Sequence, residues 1–124
     1  MIDGENNNQD ELVTSIVEKN KSQMRKGILE YCILLIISKQ KIYTLDILKE
    51  LEAAGFDTKE GTLYPLLNRL KRQGILGYEW VESNEGPPRK YYTLTDIGQK
   101  SLIDLKTSFD QTFQSIQTLQ TKFK

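Results

Sequence analysis

The chain has 124 residues, 38% of them hydrophobic and 27% charged, a balance that suits one domain with a modest core rather than a disordered polymer. Its 17 Lys and Arg offset 17 Asp and Glu, so the formal net charge is zero and any nucleic-acid contact must come from locally gathered cations. It has no histidine and a single cysteine, Cys32, which excludes Ser-His and Cys-His nucleophile pairs, His-ligated metals, Cys-rich zinc sites and an intrachain disulfide.

Composition therefore points to a binding module rather than an enzyme, with no metal and no cofactor. The first ten residues are polar and Asn-rich, without the basic start and apolar stretch of a secretory signal. The longest apolar run, Ile33 to Ile37, is far short of the roughly 20 residues of a spanning helix. The expected location is the cytoplasm, with no membrane partner.

Residues 1–9 read as a flexible tail. Asp10 offers an N-cap, and Leu12, Val13, Ile16 and Val17 fall on one helical stripe that Met24 continues, giving an N-terminal helix over 10–26. A second helix follows from about Gly27 to Lys39, carrying Ile28, Leu29, Cys32, Ile33, Leu35, Ile36 and Ile37. It is apolar on most of its circumference and is expected at the centre of the core. Whether the two helices fuse through Ser22 to Lys26 stays open at this point. Thr44 offers an N-cap to a short amphipathic helix with Leu45, Ile47, Leu48 and Leu51, which Gly55 closes.

After a turn at Phe56 to Thr58, a further helix runs to about Gln73 and stops at Gly74. Leu76, Tyr78 and Trp80 then alternate with Gly77, Glu79 and Val81, and a second strand covers Lys90 to Leu94. Ser83 to Pro88 supplies the turn. Thr95 caps a long last helix. Helix, helix-turn-helix, hairpin, helix is the order of a winged helix-turn-helix. The expected fold is thus mainly α with a small β-hairpin, the winged domain over 27–98 and a C-terminal helix over 99–124.

On a helical wheel of Lys59 to Gln73, Leu63, Leu66, Leu67 and Leu70 form the core face. Gly61, Pro65, Asn68 and Arg72 lie opposite, flanked by Thr62 and Arg69 on one side and Tyr64 and Lys71 on the other. Small hydrogen-bonding groups early and cations late suit a helix entering a major groove N-terminus first, although an ordinary solvated face fits the same wheel. Pro65 lacks the N–H that would bond Gly61, so either the helix begins near Tyr64 with Thr62 as cap or its first turn is distorted. In the hairpin, Arg89 and Lys90 follow the stiff Gly86-Pro87-Pro88 tip and are expected to be held out together toward a phosphate or minor groove. Glu79, Glu82 and Glu85 on the same hairpin oppose that, and a plain surface hairpin of mixed charge remains the alternative.

Glu60-Gly61-Thr62-Leu63-Tyr64-Pro65-Leu66-Leu67 and Gly86-Pro87-Pro88-Arg89-Lys90-Tyr91-Tyr92-Thr93-Leu94-Thr95, with Ile42-Tyr43-Thr44-Leu45, Arg69-Leu70 and Gly74-Ile75-Leu76, resemble the PadR-like family of bacterial transcriptional regulators. The resemblance runs from about Arg25 to Gly98, and the single helix after the wing is similar to the smaller branch of that family. It implies a winged-helix homodimer on double-stranded DNA with a palindromic operator, usually a repressor released by an effector or stress signal. It also places Thr62, Tyr64, Pro65 and Asn68 on the DNA-facing helix, Arg89 and Lys90 in the wing, and Tyr43 at the start of the preceding helix. With the wheel, the expected DNA-binding set is Tyr43, Lys59, Thr62, Tyr64, Pro65, Asn68, Arg69, Arg72, Arg89 and Lys90.

In the last helix Leu102, Leu105, Phe109, Ile116, Leu119 and Phe123 step by three and four, with Thr112 at the one weak place and Phe113 beside it, which is a heptad seam. A winged core needs only the first turns, around Ile97 and Leu102, so the rest calls for a partner. The resemblance implies a homodimer through this helix and the N-terminal region of the other subunit. The stripe Leu12, Val13, Ile16 and Val17 is the natural counterpart, and packing of both helices within one monomer is the alternative. For a small-molecule effector the chain departs from relatives that hold planar aromatic compounds with a tryptophan between the dimer helices, because Trp80 is its only tryptophan and lies in the wing. Phe109 and Phe113 could line a cavity, but seam packing is their commoner use, and Cys32 reads as a core residue. The leading function is a sequence-specific DNA-binding transcriptional regulator. The alternative is a winged-helix protein-interaction module without DNA binding, which the zero net charge and wing glutamates favour and Arg69, Arg72, Arg89 and Lys90 oppose.

Overall fold

The computed structural model describes residues 2–124, with side chains from residue 6 onward. In chain order it contains α1 (Ile2–Ile37), β1 (Ile42–Tyr43), α2 (Thr44–Ala53), α3 (Glu60–Arg72), β2 (Leu76–Ser83), β3 (Gly86–Leu94) and α4 (Asp96–Lys122). The chain divides into two compact units, one ending at Glu30 and the other running from Tyr31 to Lys124.

The two expected N-terminal helices are one, because nothing between Ser22 and Lys26 breaks the helical path. Residues 2–9 are helical rather than an irregular tail, and Asp10 lies inside α1 instead of capping it. The polar run Asn6 to Gln9 carries neither proline nor glycine, so only propensity opposed its helicity, and propensity is a weak term of a few tenths of a kcal/mol per residue.

In the second unit the core is built from one face of each element. Ile33, Leu34 and Ile37 of α1 are buried, as are Ile47 and Leu51 of α2, Leu63, Leu67 and Leu70 of α3, and Leu76 and Tyr92 of the sheet. Each such side chain contributes about 1.5–3 kcal/mol when fully buried. Leu35 is exposed, so the last turns of α1 bury a face rather than the whole circumference.

Thr44 is not the cap of α2. It is the first helical residue and is buried, while Tyr43 occupies the cap position in extended conformation because it pairs with β3. Both α2 and α3 end in paired backbone bonds beyond a glycine of positive φ: Phe56 N–H to Leu51 O at 2.8 Å after Gly55, and Ile75 N–H to Leu70 O at 3.0 Å after Gly74. These are Schellman stops, in which glycine takes the left-handed conformation without Cβ strain. They set how sharply the chain turns into α3 and into the sheet.

The sheet is antiparallel with order β1-β3-β2. The two-residue β1 carries no signal in the sequence; it exists only through the pairs Ile42–Tyr92 and Tyr43–Tyr91. The hairpin turn is tighter than expected, Asn84-Glu85, and Pro87 and Pro88 belong to β3. Register slips by one between the pairs Val81–Arg89 and Ser83–Gly86, which leaves the prolines at a bulge where their missing N–H groups cost no ladder bond.

Thr95 caps α4 as expected, its hydroxyl accepting from Gly98 N–H at 3.0 Å and donating to Gly74 O at 2.6 Å. The start of α4 is thereby tied to the turn that leaves α3. Gly98 is buried there, whereas Ile97, expected in the core, is 60% exposed.

Candidate nucleic-acid interface

The wheel of α3 is realised with one change of start. The helix begins at Glu60, not Tyr64, with Lys59 rather than Thr62 at the cap position and no side-chain cap bond. Thr62 and Leu63 N–H groups both bond the Lys59 carbonyl, at 3.0 and 3.1 Å, so the first turn forms normally. Pro65 sits inside the helix, where the bond it cannot make is the one to Gly61 O. Gly61 is exposed, so water can satisfy that carbonyl.

With Leu63, Leu67 and Leu70 buried, Lys59, Thr62, Tyr64, Pro65, Asn68, Arg69 and Arg72 are all exposed. Glu60 in the first turn and Arg69, Lys71 and Arg72 in the last complement the helix dipole. They also leave the far end of this face cationic. Desolvation, with the Glu60 charge second, raises the Tyr64 phenol above its ordinary value, so its hydroxyl keeps its proton and can donate a hydrogen bond.

An open groove of about 400 Å³ joins the start of α2, the start of α3 and the hairpin, lined among others by Tyr43, Tyr64, Trp80, Pro88, Arg89 and Lys90. It brings together four of the expected residues: Tyr43, Tyr64, Arg89 and Lys90. Asn68, Arg69 and Arg72 lie further along α3, outside it.

Arg89 and Lys90 are not presented together from a tip. They are neighbours on β3, so their side chains leave opposite faces of the sheet. The Arg89 guanidinium lies over Tyr43, 4.9 Å from the ring centre, and Tyr43 packs on Tyr91 at 5.9 Å. The Lys90 ammonium lies over Tyr78 at 4.1 Å on the other face. Of the opposing wing carboxylates, Glu79 is neutralised by Lys41 at 2.8 Å, and Glu82 and Glu85 stay exposed. The wheel placed Lys71 beside Tyr64 without counting it among the DNA contacts, and sequence reasoning missed Tyr78 and Trp80 as members of this surface. The strand alternation that puts Tyr78 and Trp80 on the Lys90 side was the available signal.

Cys32 is half-buried, and burial pushes its thiol up, away from the reactive thiolate. Among the described residues no group of three or more His, Cys, Asp or Glu side chains could hold a metal, and no helix is long and apolar enough to cross a membrane.

The sequence profile of the transcriptional regulator PadR-like family matches residues 33–104, more than half of the chain. The chain belongs to the PadR-like family of transcriptional regulators. A PadR-like transcription factor of Bacteroides fragilis has a solved structure that is 50% identical, with a TM-score of 0.70 over 82% of this chain and 98% of that one. A PadR-like transcriptional regulator of Bacillus cereus is 38% identical, TM-score 0.72, over 78% and 95% of the two chains. A PadR family regulator of Eggerthella lenta is 30% identical, TM-score 0.76, over 86% and 93%. The PadR-like match takes in α2, α3, the whole sheet and the start of α4, and therefore every residue of the candidate interface.

Proposed function

We propose that this PadR-like chain is a homodimeric DNA-binding repressor, with α3 in the major groove of each half of a palindromic operator and the hairpin against the backbone. The observation that carries this is the exposed face of α3, on which Thr62, Tyr64 and Asn68 precede Arg69 and Arg72, with Tyr43 of β1 and Arg89 of the wing lining one groove with Tyr64. Hydrogen-bonding groups at the leading end can read base edges while the trailing cations meet phosphates. Two copies related by a two-fold axis match a palindrome with half-sites about one helical turn, ~34 Å, apart.

Dimerisation runs through α4 and α1. Phe113, Ile116 and Leu119 of α4 and Leu12, Val13, Ile16 and Val17 of α1 are exposed large hydrophobics at helical spacing, an arrangement that favours a partner surface. Leu102, Leu105 and Phe109, half-buried in their own unit, continue the α4 stripe toward the winged domain. Release from the operator follows from a small effector or stress signal that alters the spacing of the two reading helices.

Selection of bound duplexes from a random library yields the operator, and fluorescence anisotropy on it tests the assignment. Asn68→Ala is expected to cost about 1–3 kcal/mol of discrimination at one base position, and Arg69→Ala to weaken all duplexes. Wild-type affinity and selectivity in both folded variants would remove α3 from the groove. Failure of the wild-type chain to enrich any duplex would favour a protein-interaction role for the same surface.

A further inference from the structure

Three side chains gather on the Lys90 face of the hairpin, of which only Lys90 belongs to the expected DNA-binding set. They are Lys71 near the end of α3, Tyr78 on β2 and the ammonium of Lys90 on β3, turned away from Arg89. The Lys71 ammonium lies 4.1 Å from the centre of the Tyr78 ring, and the Lys90 ammonium lies 4.1 Å from the same point. The two charges are therefore within about 8 Å of each other, close enough to repel even at a protein surface. Tyr92 and Trp80 extend the platform under Lys90, at 5.2 and 6.0 Å, and Trp80 stands edge-on to Tyr78.

A ring quadrupole fixes where a cation stands but does not neutralise it. Among the described residues neither ammonium has a carboxylate within ion-pair distance, and the hairpin's Glu79 is taken by Lys41. Two like charges held against one ring without a counter-ion repel, and an anion within reach of both reverses the sign of that energy. The Tyr78 phenol reports the same field: the Lys71 hydrogen bond and charge, with Lys90 behind them, hold it below its ordinary value despite some desolvation. The anion's source follows from position. The platform joins the cationic last turn of α3 to the wing, the two elements that flank a groove when α3 lies in it.

We propose that Lys71 and Lys90, positioned by the Tyr78 ring, form one clamp for a single backbone phosphate of duplex DNA. The clamp rests on the DNA-binding reading above and adds Lys71 as a contact and Tyr78 as a positioning residue. It links α3 and the wing through one phosphate, so the two elements dock as a unit.

The test measures anisotropy of a labelled random-sequence duplex across a salt series for the full chain and its Lys71→Ala, Lys90→Ala, double, Tyr78→Leu and Tyr78→Phe variants. Each neutralised phosphate contributes about 0.9 to the log–log salt slope. The double variant is expected to lose about 0.9, the share of one phosphate, with affinity reduced several-fold in Lys71→Ala alone. Tyr78→Leu, which keeps both charges but removes the ring, is expected to weaken binding, and Tyr78→Phe, which keeps the ring and loses only the hydroxyl's bond to Lys71, to recover most of it. A loss of about 1.8 in the double variant means two separate contacts and overturns the clamp, as does wild-type binding by Lys71→Ala. Trp80, the only tryptophan, gives a second readout. Its fluorescence should respond to duplex and not to inorganic phosphate at matched ionic strength. A saturable phosphate response lost in the double variant would assign the site to a free anion instead. A wild-type chain that binds no duplex at low salt overturns the DNA reading itself, whereas duplex binding with an unchanged slope in the double variant overturns the clamp alone.

Discussion

Replacing Phe113 and Ile116 together by Asp is expected to leave the chain monomeric at micromolar concentration and without measurable operator affinity. These two side chains are 51% and 45% exposed on α4, and Leu119 beyond them is 57% exposed. Phe109 is a poorer choice for the test, because its ring already stacks on Tyr31 at 4.4 Å and its loss would disturb the winged unit as well. Burying the remaining exposed half of each of the two side chains contributes about 1 kcal/mol. A two-fold interface counts each residue twice, so the pair supplies about 4 kcal/mol, or roughly three orders of magnitude in the dimer dissociation constant. Four carboxylates placed in the seam add a desolvation cost to that loss. Operator binding falls with assembly because a single half-site lacks the effective concentration that a linked second one supplies. Sedimentation equilibrium reads the assembly and anisotropy the binding. A double variant that still dimerises would move the interface off α4, and Val13→Asp with Ile16→Asp would then show whether α1 holds the subunits by itself.

The sequence made some parts of this molecule readable and hid others for definite physical reasons. The ends of α2 and α3 were readable because Gly55 and Gly74 can adopt a conformation that other residues avoid, and the structure places both at positive φ. The core face of α3 was readable because Leu63, Leu67 and Leu70 carry the helical period. The strand β1 was not, since two residues cannot display a period and Ile42 and Tyr43 are extended only because β3 pairs with them. That same pairing took the cap position from Thr44 and gave it to Tyr43. Arg89 and Lys90 were misjudged because the two prolines before them read as a turn. Once Pro87 and Pro88 are placed in β3, alternation sends the two cations to opposite faces, one to Tyr43 and one to Tyr78. The candidate site was thus legible in part: Tyr43, Tyr64, Arg89 and Lys90 line one groove, but the faces that Arg89 and Lys90 take depended on register.

The same substitution, glycine to alanine, is expected to have opposite signs at two helical positions. At Gly98 a Cβ would collide with the Ile75 carbonyl, a backbone atom that cannot rotate away, and would also crowd Leu94. Thr95 fixes that geometry, because its N–H donates to the same Ile75 carbonyl at 3.1 Å and its hydroxyl holds Gly98 N–H and Gly74 O. Gly98→Ala must therefore either shift α4 or break the Thr95 bonds, and an overpacked site of this kind costs about 1–3 kcal/mol. At Gly27, inside α1, nothing lies within 4 Å of an added Cβ and the backbone is already helical. Gly27→Ala removes only unfolded-state freedom and is expected to stabilise by about 0.5–1 kcal/mol. Urea denaturation at fixed protein concentration checks both. Thr95→Ala should destabilise by about 1 kcal/mol through the lost cap, and combining it with Gly98→Ala should cost less than the sum, since both act on one bond network. Additive costs would mean that the close approach to Ile75 and the Thr95 bonds act independently. A neutral Gly98→Ala would show that α4 can slide on the α3–β2 turn, and the two reading helices of a dimer would then be only loosely spaced by α4.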